Sequence, residues 1–192
     1  CVVWANRGGG KTQLGVIATL LDLLFKPGIQ VRILAGSFEQ SSKMYDYLRR
    51  LLESDLLADR VDGRVTGRRV TLTNGSRVEV LSQSERSVRG QRVHRLRCDE
   101  VELFDDAVWQ AAQMVTRSAW CGEVFVHGSI EALSTMHRPW GLMQTLVDDA
   151  AAGRRRLFRW NLLDVLERCP PARACESCPL WEDCGGRAKN AR

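Results

Sequence analysis

Near the start of the chain, the pattern of apolar residues is first typical of a buried strand and then of an amphipathic helix. Residues 2–4 are a short apolar run typical of a buried strand, and residues 11–25 carry apolar side chains at helical spacing. The same pair recurs as a predicted strand over 29–35 and a predicted helix that runs to about residue 52. Strands and helices that alternate at this spacing indicate an α/β fold in which crossover helices connect a mainly parallel sheet.

The pattern changes in the middle of the chain. Residues 69–73 and 77–81 alternate with period two around Asn74-Gly75-Ser76, which predicts a β-hairpin inserted into the α/β core. A polar stretch over 82–91 follows, and then a candidate strand that ends at Asp99. The later pattern predicts a helix over 105–120, an apolar segment over 124–133 and a helix over 140–152.

The stretch between the first strand and the first helix carries the strongest chemical signal. Residues 5–12 have the glycines and the Gly-Lys-Thr ending of a phosphate-binding P-loop. In such a loop the glycine N–H groups would face phosphate oxygens, Lys11 would reach the β- and γ-phosphates of ATP, and Thr12 would bind Mg²⁺. The flanking strand and helix favour this reading over a plain glycine-rich turn, because they place phosphate at a helix N-terminus. The glycines are Gly8, Gly9 and Gly10.

A P-loop ATPase also needs carboxylates near the phosphates, and the candidate pair is Asp99-Glu100. Asp99 would hold Mg²⁺ through its water shell, while Glu100 would polarise the water that attacks the γ-phosphate. The alternative is a surface pair of acids, but the position after a predicted strand downstream of the P-loop favours catalysis. Arg7, four residues before Lys11, would either stabilise charge that develops on the γ-phosphate or be an exposed loop arginine.

Four of the seven cysteines lie close together near the C-terminal end. With one Cys-x-x-Cys turn they make a complete set of soft ligands, which predicts a metal site rather than four unconnected thiols. The spacing is similar to that of some iron–sulfur sites, and zinc is the alternative, so [4Fe–4S] and Zn²⁺ both stay open. Metal binding would order a tail that has few apolar residues of its own. The four ligands would be Cys169, Cys175, Cys178 and Cys184.

Composition limits the kind of protein. Hydrophobic residues make up 44% and charged residues 27%, as in ordinary soluble domains, and no apolar run approaches the ~20 residues of a membrane helix. The 192 residues allow one core with an appendage, which predicts a P-loop ATPase domain over 1–152 and a linker with a four-cysteine tail over 153–192. Because the chain begins with Cys1 inside a predicted strand, we expect it to be part of a longer protein. The net charge of +5 is compatible with a nucleic-acid partner, although solvated arginines would explain it equally well.

Several motifs occur in the order found in the large subunit of tailed-phage terminases, which the chain resembles over about residues 1–150. The matching features are the P-loop with Arg7, the hairpin, Arg89-Gly90, Asp99-Glu100 and the pair Ser134-Thr135 at the end of a predicted strand. Met136 follows that pair, where the family usually has proline. The resemblance implies a P-loop NTPase of the additional-strand type, in which Ser134 and Thr135 couple hydrolysis to movement.

The resemblance also implies a motor that hydrolyses ATP to move double-stranded DNA into a procapsid. Its expected partners are the portal, the small terminase subunit and further copies of the chain in a ring, and no membrane. It would act in the host cytoplasm as a phage or prophage protein. The family adds an upstream adenine-binding segment and a C-terminal nuclease domain, which we expect only in the full-length protein.

Two other functions remain open. One is a helicase-like or other DNA-dependent ATPase, which the absence of recognisable helicase motifs after Asp99-Glu100 makes less favourable. The other is a non-catalytic nucleic-acid-binding module that uses the metal knuckle and has a degenerate P-loop. Intact Lys11, Thr12 and the acidic pair argue against the second.

Overall fold

One eight-stranded β-sheet organises the chain in the computed structural model, which describes residues 1–82 and 84–190. The last two residues of the predicted tail 153–192 therefore lie outside the described part. Eight of the described strands form this sheet, and two form a separate hairpin. In chain order they are β1 (Val2–Ala5), β2 (Gln30–Ala35), β3 (Val61–Asp62), β4 (Arg69–Leu72), β5 (Arg77–Val80), β6 (Arg95–Asp99), β7 (Ala119–Cys121), β8 (Val124–Val126), β9 (Ser129–Ser134) and β10 (Leu157–Trp160).

The strand order of the large sheet is β10-β1-β9-β6-β2-β5-β4-β3. Strands β10 through β5 in this order run parallel, whereas β4 and β3 continue the edge in antiparallel pairing. Strand β9 lies between β1, which precedes the P-loop, and β6, which ends at Asp99. This is the additional strand of the predicted NTPase class, so the predicted α/β fold with a mainly parallel sheet is confirmed.

Two strands of the sheet extend what the sequence predicts. The hairpin β4–β5 forms as predicted, but β5 also pairs parallel with β2, so the hairpin widens the sheet instead of interrupting the core. Strand β10 pairs with β1 at the opposite edge. The sheet therefore includes residues on both sides of the predicted boundary between 152 and 153, and the division into two domains stays a prediction.

Helices cover both faces of this sheet. Two of them bury apolar side chains against β2 and β5, and three others pack in a second cluster with β6 and β9. The first two are α1 (Lys11–Phe25) and α2 (Phe38–Leu52), and the next three are α3 (Glu85–Arg89), α4 (Asp106–Ala112) and α5 (Leu142–Ala151); α6 (Trp181–Cys184) lies in the tail. Within residues 1–82 and 84–190, no helix is long and apolar enough to cross a lipid bilayer.

The region from 105 to 133 differs from its prediction. Helix α4 ends at Ala112 rather than at 120, and the separate hairpin β7–β8 precedes β9. From residue 119 the apolar side chains face each other across a hairpin, where the Trp120 and Phe125 rings meet edge to face with centroids 5.3 Å apart. Gly122 makes the turn with a φ of 59°, a left-handed value that favours glycine. Hairpin pairing therefore replaces the predicted helix from residue 119, and before it Thr116 forms an isolated parallel bridge with Val93.

A short helix, α3, lies within the polar stretch over 82–91. Its N-cap is Ser84, whose hydroxyl accepts a hydrogen bond from the Ser87 N–H at 3.2 Å. Val88 is its buried residue. A single apolar anchor gives no periodicity, which explains why the sequence pattern did not predict this helix.

A buried arginine explains how the unusual sequence of β6 forms a central strand. Arg97 is 1% exposed, and its guanidinium pairs with the carboxylates of Asp22 on α1 and Glu131 on β9. Asp22 also pairs with Lys26, and Arg95 lies 3.5 Å from Asp22 and 3.7 Å from Glu131. Burial lowers the pKa of Arg97 to about 10. The charge is tolerated inside the sheet because two acids face it.

Candidate nucleotide-binding site

The P-loop occupies the turn between β1 and α1. Gly8 and Gly10 have φ values of 76° and 83°, which glycine adopts without strain. A Cβ on Gly9 would come within 2.6 Å of Asn6 Oδ1 and 2.9 Å of Trp160 Nε1, so any other residue would displace one of these side chains. The indole N–H of Trp160 donates to the Gly9 carbonyl at 2.7 Å. The loop conformation therefore depends on all three glycines and is tied to strand β10.

Lys11 and Thr12 begin α1 and contact the ends of two other strands. Lys11 is 6% exposed; its Nζ donates to Thr135 Oγ1 at 2.9 Å and lies 3.7 Å from Glu100 Oε1. The Thr12 hydroxyl donates to Asp99 Oδ2 at 3.0 Å. The sheet order thus brings together side chains that are up to 124 residues apart in sequence.

Asp99 and Glu100 lie where β6 leaves the sheet. Asp99 is 3% exposed, and its burial raises its pKa, an effect that the hydrogen bond from Thr12 partly opposes. Glu100 has φ 51° and ψ 50°, a left-handed conformation, and its N–H donates to Asp99 Oδ1 at 3.1 Å. Strained residues of this kind concentrate at functional sites, where the surrounding structure holds them.

Two hydroxyl side chains at the end of β9 complete this cluster. Ser134 is fully buried; its Oγ lies 3.4 Å from Glu100 Oε2 and accepts the Glu102 N–H at 3.4 Å. Thr135 follows it and accepts the hydrogen bond from Lys11. His137 Nε2 approaches Glu100 Oε2 at 3.7 Å. The Glu100 carboxylate is therefore surrounded by groups that donate hydrogen bonds or carry positive charge.

A cavity of about 360 Å³ opens over the P-loop. Most of the residues predicted to bind or hydrolyse ATP line it, and so do three residues that were not predicted: Arg7, Gly8, Gly10, Lys11, Thr12, Asp99 and Glu100, and then Gln13, Lys43 and Tyr47. Of the predicted residues around the nucleotide, Gly9, Ser134 and Thr135 are not part of the lining. Sequence reasoning missed Lys43 and Tyr47, although their i, i+4 spacing on α2 places them on one helix face. It also missed His137, for which no motif exists.

The donors and acceptors around this cavity suit a triphosphate with a divalent cation. The N-terminus of the 15-residue α1 and the Lys11 ammonium favour negative charge. The Thr12 hydroxyl and the Asp99 carboxylate supply hard oxygen ligands of the kind Mg²⁺ prefers. Arg7 is exposed at the rim, where its guanidinium has access to a bound anion.

The four tail cysteines line one cavity of about 20 Å³. All four are free thiols, and the Ala188 N–H donates to Cys184 Sγ at 3.4 Å. The backbone closes this region, because the Cys169 N–H donates to the Ala188 carbonyl at 2.9 Å. Over the described residues 1–82 and 84–190, however, no group of three or more His, Cys, Asp or Glu side chains is arranged to hold a metal ion. The remaining two cysteines of the cavity are Cys175 and Cys178.

Comparison with protein-family models found no match, and comparison with curated proteins found none either. Solved structures do match. The large terminase of a thermophilic bacteriophage in complex with ADP is 13% identical, with a TM-score of 0.59 over 83% of this chain and 39% of that chain. The large terminase of bacteriophage HK97 is 17% identical, with a TM-score of 0.64 over 99% of this chain and 39% of that chain.

A third match is a structure of an ATPase domain alone. The large-terminase ATPase domain of the Thermus phage P74-26 is 14% identical, with a TM-score of 0.54 over 72% of this chain and 61% of that chain. The chain spans about two fifths of the length of the ADP-bound terminase and of the HK97 terminase. At these identities the matches concern the fold, and at that level they confirm the resemblance inferred from the motifs: the chain has the fold of phage large-terminase ATPase domains.

Proposed function

We propose that this chain binds ATP with Mg²⁺ and hydrolyses it as the motor part of a phage DNA-packaging terminase. The observation that carries the proposal is the direct contact between the P-loop end and the acidic pair. Thr12 reaches Asp99 at 3.0 Å, and Lys11 lies 3.7 Å from Glu100. The large terminase of the thermophilic bacteriophage has been solved with ADP and with ATP-gamma-S, which supports a nucleotide as the ligand.

Each residue in the cluster has a role that follows from its chemistry. The glycine N–H groups and Lys11 would bind the phosphates, while Thr12 and Asp99 would hold Mg²⁺. Bound Mg²⁺ would neutralise charge on the β- and γ-phosphates. Glu100 would orient the attacking water, and Arg7 would stabilise the charge that develops on the γ-phosphate.

Ser134 and Thr135 would couple hydrolysis to movement. Thr135 bonds the P-loop lysine, and Ser134 lies between the Glu100 carboxylate and the Glu102 N–H. A change at the γ-phosphate would therefore alter the hydrogen bonds of both hydroxyls. The hydrogen bonds of this pair support the coupling role that the resemblance implies.

Glu100→Gln tests the hydrolytic assignment. We expect ATP binding to persist while turnover falls by about 10²–10⁴, the usual contribution of general base catalysis. The matched control is Glu123→Gln, an exposed glutamate on the turn between β7 and β8, which should leave turnover unchanged. Wild-type turnover in Glu100→Gln would contradict the assignment.

The wider proposal concerns double-stranded DNA, a ring of subunits on a portal, the small terminase subunit and the host cytoplasm. The full-length protein would add the nuclease domain. A motor that moves along intact duplex displaces a triplex-forming strand without separating the duplex, whereas a helicase separates the two strands. ATP-dependent triplex displacement with an intact duplex would support packaging, and strand separation would favour the helicase-like alternative.

We further propose that Cys169, Cys175, Cys178 and Cys184 hold one metal centre. Their shared cavity and the N–H···S hydrogen bond to Cys184 fit the donor set of a thiolate site. A cavity of about 20 Å³ offers about the room of one water molecule, which suits a single Zn²⁺ ion better than [4Fe–4S].

Metal analysis of anaerobically purified protein tests the centre. One equivalent of zinc in a colourless protein would support the mononuclear site, whereas broad visible absorption with iron would support [4Fe–4S]. Cys178→Ser should lose the metal and make the tail sensitive to protease. Cys1→Ser, a change outside the tail, should keep the metal and leave the tail resistant to protease. Neither metal at stoichiometry, with a protease-resistant tail in Cys178→Ser, would contradict the proposal.

A further inference from the structure

Glu102 is a buried carboxylate two residues after Glu100, and it does not line the cavity over the P-loop. It is 6% exposed, and burying a carboxylate is costly unless hydrogen bonds compensate for the lost water. We propose that Glu102 is a positioning residue for Glu100. It anchors the turn after Glu100 to helix α5 and thereby holds the Glu100 carboxylate where it can orient the attacking water. This inference rests on the hydrolytic function proposed above.

The Glu102 carboxylate caps the N-terminus of α5. Its Oε2 accepts the Met143 N–H at 2.8 Å, although the two residues are 41 positions apart in sequence. Gly141 at the N-cap position provides no side-chain hydrogen bond, and the first turn of the helix has no acidic residue. Glu102 therefore supplies both the acceptor and the negative charge that a helix N-terminus favours.

The contact between Glu102 and Gly141 leaves the carboxylate little room to move. A Cβ on Gly141 would lie 1.9 Å from Glu102 Oε1, so the carboxylate packs directly against this backbone. Oε1 is buried and has no hydrogen-bond partner among the described residues, which adds to the cost of burial. A serine or aspartate at the N-cap would satisfy a helix N–H group without a buried carboxylate. A cap from a distant residue adds what a local cap cannot, a link between α5 and the turn after Glu100.

That turn also fixes the backbone of Glu100. The left-handed Glu100 immediately precedes a 3₁₀ turn over Val101–Leu103, of which Glu102 is the middle residue. The Leu103 N–H closes the turn onto the Glu100 carbonyl at 3.0 Å. A residue other than glycine keeps such a strained conformation only where the surrounding structure holds it. Release of Glu102 would therefore let the Glu100 backbone relax and move its carboxylate away from the phosphate cavity.

Ser134 connects the main chain of Glu102 to the carboxylate of Glu100. Its Oγ accepts the Glu102 N–H at 3.4 Å and lies 3.4 Å from Glu100 Oε2. The main chain of Glu102 is thus bonded to the end of β9, while its side chain is bonded to α5. Glu100 is oriented by Ser134 directly and by α5 through Glu102.

Single-turnover ATP hydrolysis and binding of a non-hydrolysable ATP analogue, each with Mg²⁺, test the proposal. We expect Glu102→Ala to lower the hydrolysis rate by about 10–100-fold, as for a misplaced catalytic group, while the Kd of the analogue changes by less than about twofold. Glu102→Gln should lose less than about threefold, because its amide oxygen can still accept the Met143 N–H. In the Glu100→Gln background, Glu102→Ala should lower the rate by less than about twofold, since no carboxylate remains to be positioned.

Leu146→Ala is the control that separates positioning from a simple loss of stability. Leu146 is buried on α5 and belongs to the apolar cluster on that face of the sheet. Its truncation destabilises the same helix but leaves the Glu102 cap in place. We expect Leu146→Ala to lower the Tm at least as much as Glu102→Ala and, below the melting transition, to leave the hydrolysis rate unchanged.

Several results would overturn the inference. An unchanged rate in Glu102→Ala would show that Glu102 does not position Glu100, and an equal fold loss with and without Glu100→Gln would show that it acts independently of Glu100. An equal rate loss in Leu146→Ala, or a parallel loss of analogue affinity in Glu102→Ala, would reduce Glu102 to a structural residue. Failure of the proposed function looks different: wild-type protein without ATP hydrolysis, or Glu100→Gln with wild-type turnover, would contradict that function before Glu102 is changed.

Discussion

The ion cluster behind β6 makes a quantitative prediction about stability. Arg97→Met keeps an unbranched apolar side chain and removes the charged guanidinium, while Asp22→Ala removes one of the acids that face it. After Arg97→Met no acid is left alone, because Asp22 still pairs with Lys26 and Arg95, and Glu131 still lies 3.7 Å from Arg95. After Asp22→Ala, the buried Arg97 keeps only Glu131.

The perturbed pKa sets the magnitude. Burial lowers the pKa of Arg97 to about 10, against an ordinary arginine value of about 12.5. Each tenfold difference in proton affinity is about 1.4 kcal/mol, so the charged form destabilises the fold by about 3 kcal/mol. This penalty is present below about pH 10 and disappears as the pH rises towards 12.5, since the unfolded chain then holds the proton more tightly.

Urea unfolding of the two variants and of the double variant checks this reasoning. We expect Arg97→Met to be neutral or up to about 3 kcal/mol more stable, as for other buried ion pairs replaced by apolar side chains. Asp22→Ala should cost about 2–3 kcal/mol in the parent chain but less than about 1 kcal/mol in the Arg97→Met background.

A control variant and two outcomes decide whether Arg97 and Asp22 are coupled and whether the buried charge destabilises the fold. The control is Arg92→Met, an exposed arginine next to β6, which should change the free energy of unfolding by less than about 0.5 kcal/mol. If Asp22→Ala costs the same in both backgrounds, the two charges are not coupled. If Arg97→Met costs more than about 2 kcal/mol, the buried pair stabilises the fold and the pKa argument is wrong.

Three further predictions concern the site. Arg7→Ala should lower the ATP hydrolysis rate more than ATP affinity, because a charge aimed at the γ-phosphate acts mainly in the transition state. The measurement compares the change in kcat with the change in Kd of a non-hydrolysable analogue, and equal losses would instead indicate a ground-state contact. Asp99→Asn should abolish Mg²⁺-dependent turnover yet raise the Tm without Mg²⁺ at pH 7. Burial raises the pKa of Asp99, so its ionised form destabilises the fold until the pH falls through that pKa. A lower Tm would refute this. Gly141→Ala should lower stability by about 1–3 kcal/mol, because the new Cβ would overlap Glu102 Oε1, and an unchanged Tm would show that Glu102 can move away.

The P-loop is the part of the site that sequence reasoning predicts best, because its requirements are local. A short strand, three glycines and an amphipathic helix specify strand, turn and helix within 25 residues, and the structure has them at Val2–Ala5 and Lys11–Phe25. The hairpin β4–β5 is predictable for the same reason, since Asn74-Gly75-Ser76 and period-two alternation define both turn and strands. Helix α4 shows the limit: helical spacing predicts one helix to residue 120, but the helix ends at Ala112 and strand β7 begins at Ala119.

The rest of the site depends on strand order, which no local pattern contains. Lys43 and Tyr47 approach the P-loop because α2 follows the strand beside β6, and His137 approaches Glu100 because β9 is inserted next to it. From the sequence alone Lys43 and His137 look like ordinary surface positions, and Tyr47 belongs to the predicted apolar face of α2. The role of β10 is hidden in the same way, since its pairing with β1 brings Trp160 to the P-loop across 151 residues.

Arg97 shows why hydrophobicity alone underrates β6 as a strand. An arginine in the middle of a candidate strand argues against a buried central position, unless acids from other elements neutralise it. The acids come from α1 and β9, and Asp22 is 75 residues away, so the sequence offers no sign of them. The same strand carries Asp99 at its end, next to Thr12 of α1. The ion pairs of Arg97 with Asp22 and Glu131 therefore join α1, β6 and β9. Thr12 lies at the start of α1, Asp99 at the end of β6 and Thr135 directly after β9, so the same three elements position the side chains of the phosphate site.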